Sequence, residues 1–232
     1  MNSATTAMID SSTMQRIAGQ LGSNPAGVYL HSNGQRYYIK TLESTAHARN
    51  EFIAAKLYQL TGAPTLTYVH SKASDQIATE WLELDKKCVK HFDESERKQA
   101  QRWFGVHAWM ANWDVAGFNG DNQGVANGIV LTLDVGGALN FRAMGSPKGK
   151  AFGFDVNELN VLREDQNNPH ACKLFSDMNF AEIKEAIRVV VEIPDQQIRR
   201  TIIDHGGQQT LADKMIARKA YMARLLEKKT AS

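Results

Sequence analysis

At 232 residues, 43% hydrophobic and 22% charged, the chain has the make-up of a soluble globular protein, one domain or two small lobes, long enough to bury a sizeable core. A net charge of +2 is too small to argue for a nucleic-acid partner, and two cysteines, Cys88 and Cys172, are too few for a disulfide framework, which points to a reducing compartment such as the cytoplasm. No apolar run approaches the ~18 residues of a spanning helix, so a transmembrane segment is not expected.

Residues 1–13, rich in Ser, Thr and Ala, lack the basic and apolar regions of a signal peptide and are expected to form a disordered leader, with structure starting near Met14. Met14 to Gly22 fits a strand or a helix. Gly22-Ser-Asn-Pro-Ala-Gly27 is a turn cluster. A strand is predicted over Val28–His31, an Asn33-Gly34 hairpin turn follows, and the returning strand covers Arg36–Leu42. Alternation puts Tyr37 and Ile39 on one face of it and Tyr38 and Lys40 on the other. A helix is predicted over 44–61, with Ser44 or Thr45 as N-cap and Gly62 as C-cap. Glu51 falls at or beside its apolar stripe, where a carboxylate wants a partner. Strands are predicted over Pro64–His70 and Gln76–Leu82, and the polar stretch from Leu82 to Lys87 is a connector. The expected organisation is a first lobe over 14–82 and a second over 83–232.

In the second lobe Asp93 or Ser95 caps a helix running through Asn112, with Ala100, Trp103, Phe104, His107 and Met110 on one face. A polar loop holding Asp114, Asn119, Asp121 and Asn122 comes next. The β-run Ile129–Leu133 ends at Asp134, with Gly136 and Gly137 close behind. Residues 143–171 read as irregular. Asn179-Phe-Ala-Glu182 has the form of a capping box opening a helix. Pro194 begins another helix, stopped by Gly206-Gly207, and Thr210 caps a last one with Leu211, Met215, Met222 and Leu225 as its stripe. The basic side chains of that last helix, Lys214, Arg218, Lys219, Arg224, Lys228 and Lys229, read as a solvated face. The seven histidines show no metal-ligand spacing, and Cys88 with His91 lacks the partner pair of a zinc site.

An acid-and-amide loop followed by an acid at a strand end suits a metal-bound polyphosphate. Hard divalent cations take oxygen ligands and share one or two carboxylates with substrate phosphates. In phosphoryl transfer one Asp orients the attacking hydroxyl while an Asn and a second Asp hold metal. Taken singly, each residue has a plainer explanation: Lys40 on a solvated strand face, Glu51 a surface charge, Asp114, Asn119 and Asp121 turn formers, Asp134-Val-Gly-Gly a strand-ending turn. Their order along the chain is what argues for a site.

That order resembles the protein kinase-like superfamily, and more closely the small bacterial and phage-associated kinase-like proteins related to the HipA and phosphoinositide-kinase branches. The resemblance covers about residues 20–165. It is carried by Gly22-Ser-Asn-Pro-Ala-Gly27, Tyr38-Ile39-Lys40, Ala48-Arg49-Asn50-Glu51, Asn112-Trp113-Asp114 with Asp121-Asn122, and Leu133-Asp134-Val135-Gly136-Gly137. It implies an α+β, bilobal fold, with a small β-rich N-lobe containing one helix and a mainly helical C-lobe. It also implies an ATP- and Mg²⁺- or Mn²⁺-dependent kinase acting on a protein hydroxyl, cytoplasmic or translocated into a host cell as a bacterial effector. Gly22, Ser23, Asn24 and Gly27 would cover the nucleotide phosphates. Lys40 would bind the α/β-phosphates and pair with Glu51. Asp114 would orient or deprotonate the acceptor, and Asn122 and Asp134 would hold the metal. The chain departs from the pattern in places. Pro25 removes a backbone donor from the phosphate loop, Trp113 replaces the usual Arg, and no Ala-Pro-Glu follows Asp134. Asn119 has the usual kinase interval from Asp114, but Asn122 is preferred because it sits next to the β-run; the role of Asp121 stays open. Two other functions fit the same residues: a catalytically weak nucleotide- or partner-binding module, and a kinase-fold enzyme acting on a lipid or metabolite or by nucleotidyl transfer.

Overall fold

The computed structural model describes residues 8–22 and 24–227. Asn33-Gly34 seeds the first sheet: Gly34 takes φ +86°, a left-handed conformation that glycine adopts without strain. This turn joins β2 (Ala26–Leu30) to β3 (Arg36–Thr41). With β1 (Gln15–Ala18), β4 (Tyr68–Val69) and β5 (Gln76–Glu80) they form an antiparallel sheet in the order β1-β2-β3-β5-β4. In the register, Lys40 lies opposite Ala26 on one side and Ile77 on the other. Tyr37 and Ile39 join Ile9 and Ala78 in a small apolar cluster, and Lys40 faces the other way.

α1 (Thr45–Thr61) is capped by Ser44, whose hydroxyl accepts the His47 N–H, and ends at Gly62 with φ +78°. Ala48, Phe52, Ile53, Ala54, Ala55, Leu57 and Tyr58 are all buried, because the helix packs against the sheet on one side and the second lobe on the other. It belongs to the main hydrophobic core, which continues through α2 (Glu94–Arg102), α3 (Phe104–Trp109), α5 (Pro169–Phe175), α6 (Phe180–Val191), α7 (Asp195–Asp204) and α8 (Gln209–Glu227). α4 (Glu158–Glu164) packs beside α5. The connector after β5 lies along a hairpin of β6 (Gln123–Ala126) and β7 (Ile129–Thr132): Lys86 and Val125 exchange backbone hydrogen bonds at 3.3 and 2.8 Å. Among the described residues no helix is long and apolar enough to cross a membrane.

Several expectations need correction. The helix expected to run through Asn112 breaks at Trp103. There α3 turns to press Gly105 against α6, so closely that a Cβ on Gly105 would lie 2.1 Å from the Ala186 carbonyl oxygen. The single β-run is the second strand of a hairpin whose turn, Asn127 at φ +50° and Gly128 at φ +73°, is the Asn-Gly type that matches strand twist. Residues 143–171 contain α4 and the start of α5, the latter capped by Asn168 and opened by Pro169. The strand expected over Pro64–His70 shrinks to β4, and α8 begins at Gln209, which places Thr210 inside the helix. Arg218, expected on a solvated face, is fully buried: it donates to Ala108, Trp109, Gly153 and Asp155 carbonyls and pairs with Glu158 at 2.9 Å. Order starts ahead of Met14, since Ile9 is buried and its N–H donates to His70 at 2.7 Å. The first seven residues of the expected leader, Ser23, Lys228 and Lys229 lie outside the described residues.

Candidate active site

β3 and α1 build the first half of the site. Lys40 Nζ lies 2.7 Å from Glu51 Oε1 and 3.1 Å from Asp134 Oδ2. Glu51 is fully buried, and the Tyr68 hydroxyl donates to the same Oε1 at 3.0 Å. Its Oε2 has no hydrogen-bond partner among the described residues. Gly136 leaves room for this oxygen, since a Cβ there would come within 2.7 Å of it. Burial pushes the Glu51 carboxyl up to about 7, against the pull of Lys40 and the Tyr68 hydroxyl. Burial also works against the Lys40 ammonium, but the charges of Asp134 and Glu51 outweigh it and hold its pKa above the ordinary lysine value.

Asp134, just past β7, is the open member of the trio, its side chain 42% exposed. Its Oδ1 accepts the Gly136 N–H at 2.7 Å. Burial of the group is outweighed by Lys40 and the Gly136 N–H, which hold its carboxyl below its ordinary value and keep it ionised.

The loop after α3 supplies the second half. The Asn122 side-chain amide donates to Asp114 twice, to Oδ2 and to the backbone carbonyl, each at 2.8 Å. Both partners are oxygens, so the amide nitrogen faces them and the amide oxygen is left over. Burial, then the charge of Asp134, pushes the Asp114 carboxyl up to about 6. The loops of Asp114 and Asp134 touch at Gly137, where a Cβ would lie 3.0 Å from the Asp114 Cβ. Asn119 stands apart: its backbone carbonyl accepts the Cys88 thiol at 3.3 Å. Asp121 is exposed, with Oδ1 close over Gly117.

Of the phosphate-loop residues, Gly22 is exposed with open space where a Cβ would go, and Asn24 is partly buried. Gly27 belongs to β2 rather than to the loop, paired with Ile39 of β3, and Arg16 lies across it: a Cβ would come within 2.5 Å of Arg16 Nε, whose guanidinium donates to Ala26 at 2.8 Å. The Leu21 N–H donates to the Tyr38 hydroxyl at 3.0 Å and ties the loop to the Lys40 face of β3. Ser23 lies outside the described residues.

Sequence reasoning missed three supports of this site. Asn50, next to Glu51, holds the segment after Asp134 with both ends of its amide, to the Ala138 carbonyl at 2.9 Å and from the Asn140 N–H at 3.1 Å. Tyr68 anchors Glu51. Lys148 is buried beneath the two loops. Asn50 stood within a quoted motif, but its partners are about ninety residues away and no periodicity reveals them.

The oxygens on offer, Asp134 and the Asn122 amide, fit Mg²⁺, which takes one or two protein oxygens and completes its shell from phosphates and water. Among the described residues no three or more His, Cys, Asp or Glu side chains gather as a metal site. Beside the Asp114 loop opens a cleft of about 690 Å³, lined by Trp113, Phe154, Asp155 and Val161 but not by Lys40, Glu51 or Asp134.

No family model matches the chain, and no curated protein matches it significantly. Among solved structures, the proinflammatory kinase CtkA of Helicobacter pylori superposes with a TM-score of 0.65 at 14% identity, over 96% of this chain and 100% of that one. The Rio2 kinase of Chaetomium thermophilum, crystallised as an ADP/Mg²⁺-phosphoaspartate complex, reaches 0.48 at 11% identity, over 92% of this chain and 72% of that one, a score too low to bear on the fold. The match to CtkA spans both lobes, the antiparallel sheet with its helix and the helical remainder, and by that measure the chain has a protein kinase-like fold.

Proposed function

We propose that the chain is an ATP- and Mg²⁺-dependent phosphotransferase that moves the γ-phosphate to a protein hydroxyl. The observation that carries this reading is the double contact of Lys40 with buried Glu51 and half-open Asp134, next to the Asp114–Asn122 pair. Glu51 fixes the direction of the Lys40 ammonium, which then meets phosphate oxygens as a charge-assisted donor. Gly22 and Asn24, in the loop before β2, would border the phosphates. Asp134 and the free oxygen of Asn122 would hold Mg²⁺, whose contribution is to neutralise charge on the transferring phosphate. Asp114, pushed up to about 6, is poised near the operating pH, as a positioned base should be. It accepts the proton of the acceptor hydroxyl. A protein acceptor has room in the cleft beside Trp113.

Calorimetric titration of Mg·ATP tests the binding half. Asp134→Ala removes the carboxylate assigned to the metal, so metal-dependent affinity should fall by at least about tenfold, roughly the worth of one charge-assisted contact. A Mg²⁺-dependent gain in affinity that is unchanged in Asp134→Ala would remove Asp134 from the metal.

A further inference from the structure

Lys148 is 4% exposed, and its ammonium donates to three backbone carbonyls: Ala111 at 2.7 Å, Gly137 at 2.7 Å and Leu139 at 3.0 Å. An ammonium has three N–H donors, and all are used. Ala111 lies three residues before Asp114, and Gly137 three after Asp134. Ala111 and Leu139 have φ +49° and +57°, a left-handed backbone that residues with a Cβ rarely adopt, which turns their carbonyls toward the lysine. The Leu139 N–H donates to Met110 at 2.7 Å, so the two loops also touch directly.

We propose that Lys148 is a positioning residue: its ammonium locks the loop of Asp114 to the loop of Asp134 and so sets the spacing of the two carboxylates. The inference rests on the phosphotransfer reading and adds what keeps its two halves in register. Three carbonyls converging on one point present the negative ends of three dipoles, and a cation removes that repulsion. A neutral amine would not, because it has two donors and a lone pair that would face the third carbonyl.

The charged form is held against its surroundings. The Trp113 ring lies 4.7 Å from Nζ and the Phe152 ring 5.9 Å. Glu158 on α4 is the carboxylate that favours the charge, but it is engaged by Arg218 on α8 and by the Trp113 indole, each at 2.9 Å. Arg218 and Arg142 oppose the charge. Burial is the largest influence and pushes Lys148 down to about 7. The folded chain therefore releases this proton while the unfolded chain keeps it up to the ordinary lysine range. Between those limits the unfolded state binds more protons, so Lys148 makes the fold more stable as pH rises. Loop registration moves the other way, being lost as the ammonium is lost. A residue that only supported the fold would move stability and activity together; this one separates them.

The test follows both loops and turnover from about pH 6 to about pH 9, the span over which a lysine lowered to about 7 titrates. It uses the full chain and Lys148→Met, with amide hydrogen exchange, thermal melting and γ-phosphate transfer. In the wild type, protection at residues 111–114 and 136–140 should fall together above neutrality, and turnover with it, while the melting temperature does not drop. In Lys148→Met both loops should be unprotected at every pH. Turnover should be down about 10²-fold, the scale of a 1 Å misplacement, with no alkaline fall. Unchanged loop protection and an unchanged alkaline limb in Lys148→Met overturn the inference. So does a wild-type alkaline fall that tracks melting. If Lys148→Met does not fold, the wild-type exchange profile decides alone: protection that stays flat across the range overturns the inference. Coupled loss of protection in a wild type that transfers no phosphate leaves the loop lock standing and removes the phosphotransfer reading.

Discussion

Asp114→Asn is expected to bind Mg·ATP with near wild-type affinity and to lose about 10²–10⁴-fold in turnover, the usual contribution of a positioned base. The substitution keeps an oxygen that can accept the Asn122 amide, so the loop geometry survives and the lost function is proton acceptance. Burial first, then the charges of Asp134 and Asp121, push this carboxyl up to about 6, opposed by the Asn122 amide. Wild-type turnover should therefore fall about tenfold for each unit below about pH 6 as the base is protonated. The sign for stability is opposite. The folded state holds the Asp114 proton to higher pH than the unfolded state does, so stability drops as pH rises through that interval, and ionised Asp114 weakens the fold at neutral pH. Asp114→Asn should melt no lower than wild type at pH about 7. Kinetics, calorimetry and thermal melts on the same preparation separate the three effects. A variant with full turnover would take the base role from Asp114.

The second large effect is expected at Glu51, in stability as well as function. Glu51→Ala leaves the buried Tyr68 hydroxyl without its acceptor and Lys40 with Asp134 as its remaining carboxylate. An orphaned buried donor costs about 1–3 kcal/mol, readable as a lower denaturant midpoint at unchanged slope. The Lys40 ammonium, released from α1, is drawn toward Asp134, so its aim at phosphate and the openness of Asp134 suffer together. Turnover should fall by about 10²-fold. Wild-type stability and turnover in Glu51→Ala would mean that the Lys40–Glu51 contact is incidental.

How much was legible depended on how local the cause was. The Asn33-Gly34 turn, the Ser44 and Gly62 caps and the face of Lys40 follow from short-range rules; the pairing of Lys40 with Glu51 was implied by the resemblance alone. The hairpin of β6 and β7 was equally legible, since Asn127-Gly128 is the same turn signal as Asn33-Gly34, but the glycines and acids before it read as one long loop. The break at Trp103 was not legible: it depends on Gly105 meeting Ala186, a contact between helices far apart in sequence. Arg218 shows the same limit, because a basic residue on a helix reads as solvated until the carbonyls of Ala108 and Trp109 and the Glu158 carboxylate are brought to it. Interval counting pointed to Asn119 and the neighbouring β-run to Asn122, which was preferred; it is the Asn122 amide that reaches Asp114, while the Asn119 carbonyl accepts the Cys88 thiol.

The most direct measurement is incubation of the full chain with Mg²⁺, a bacterial or host lysate, and ATP labelled in parallel at the γ- and α-phosphates. Phosphotransfer predicts Mg²⁺-dependent γ-label on a protein, with no α-label transferred, abolished in Asp114→Asn. Transfer of α-label would make the reaction nucleotidyl transfer, and failure of either label to transfer, with Mg·ATP nevertheless bound, would contradict the catalytic account and leave a nucleotide-binding module.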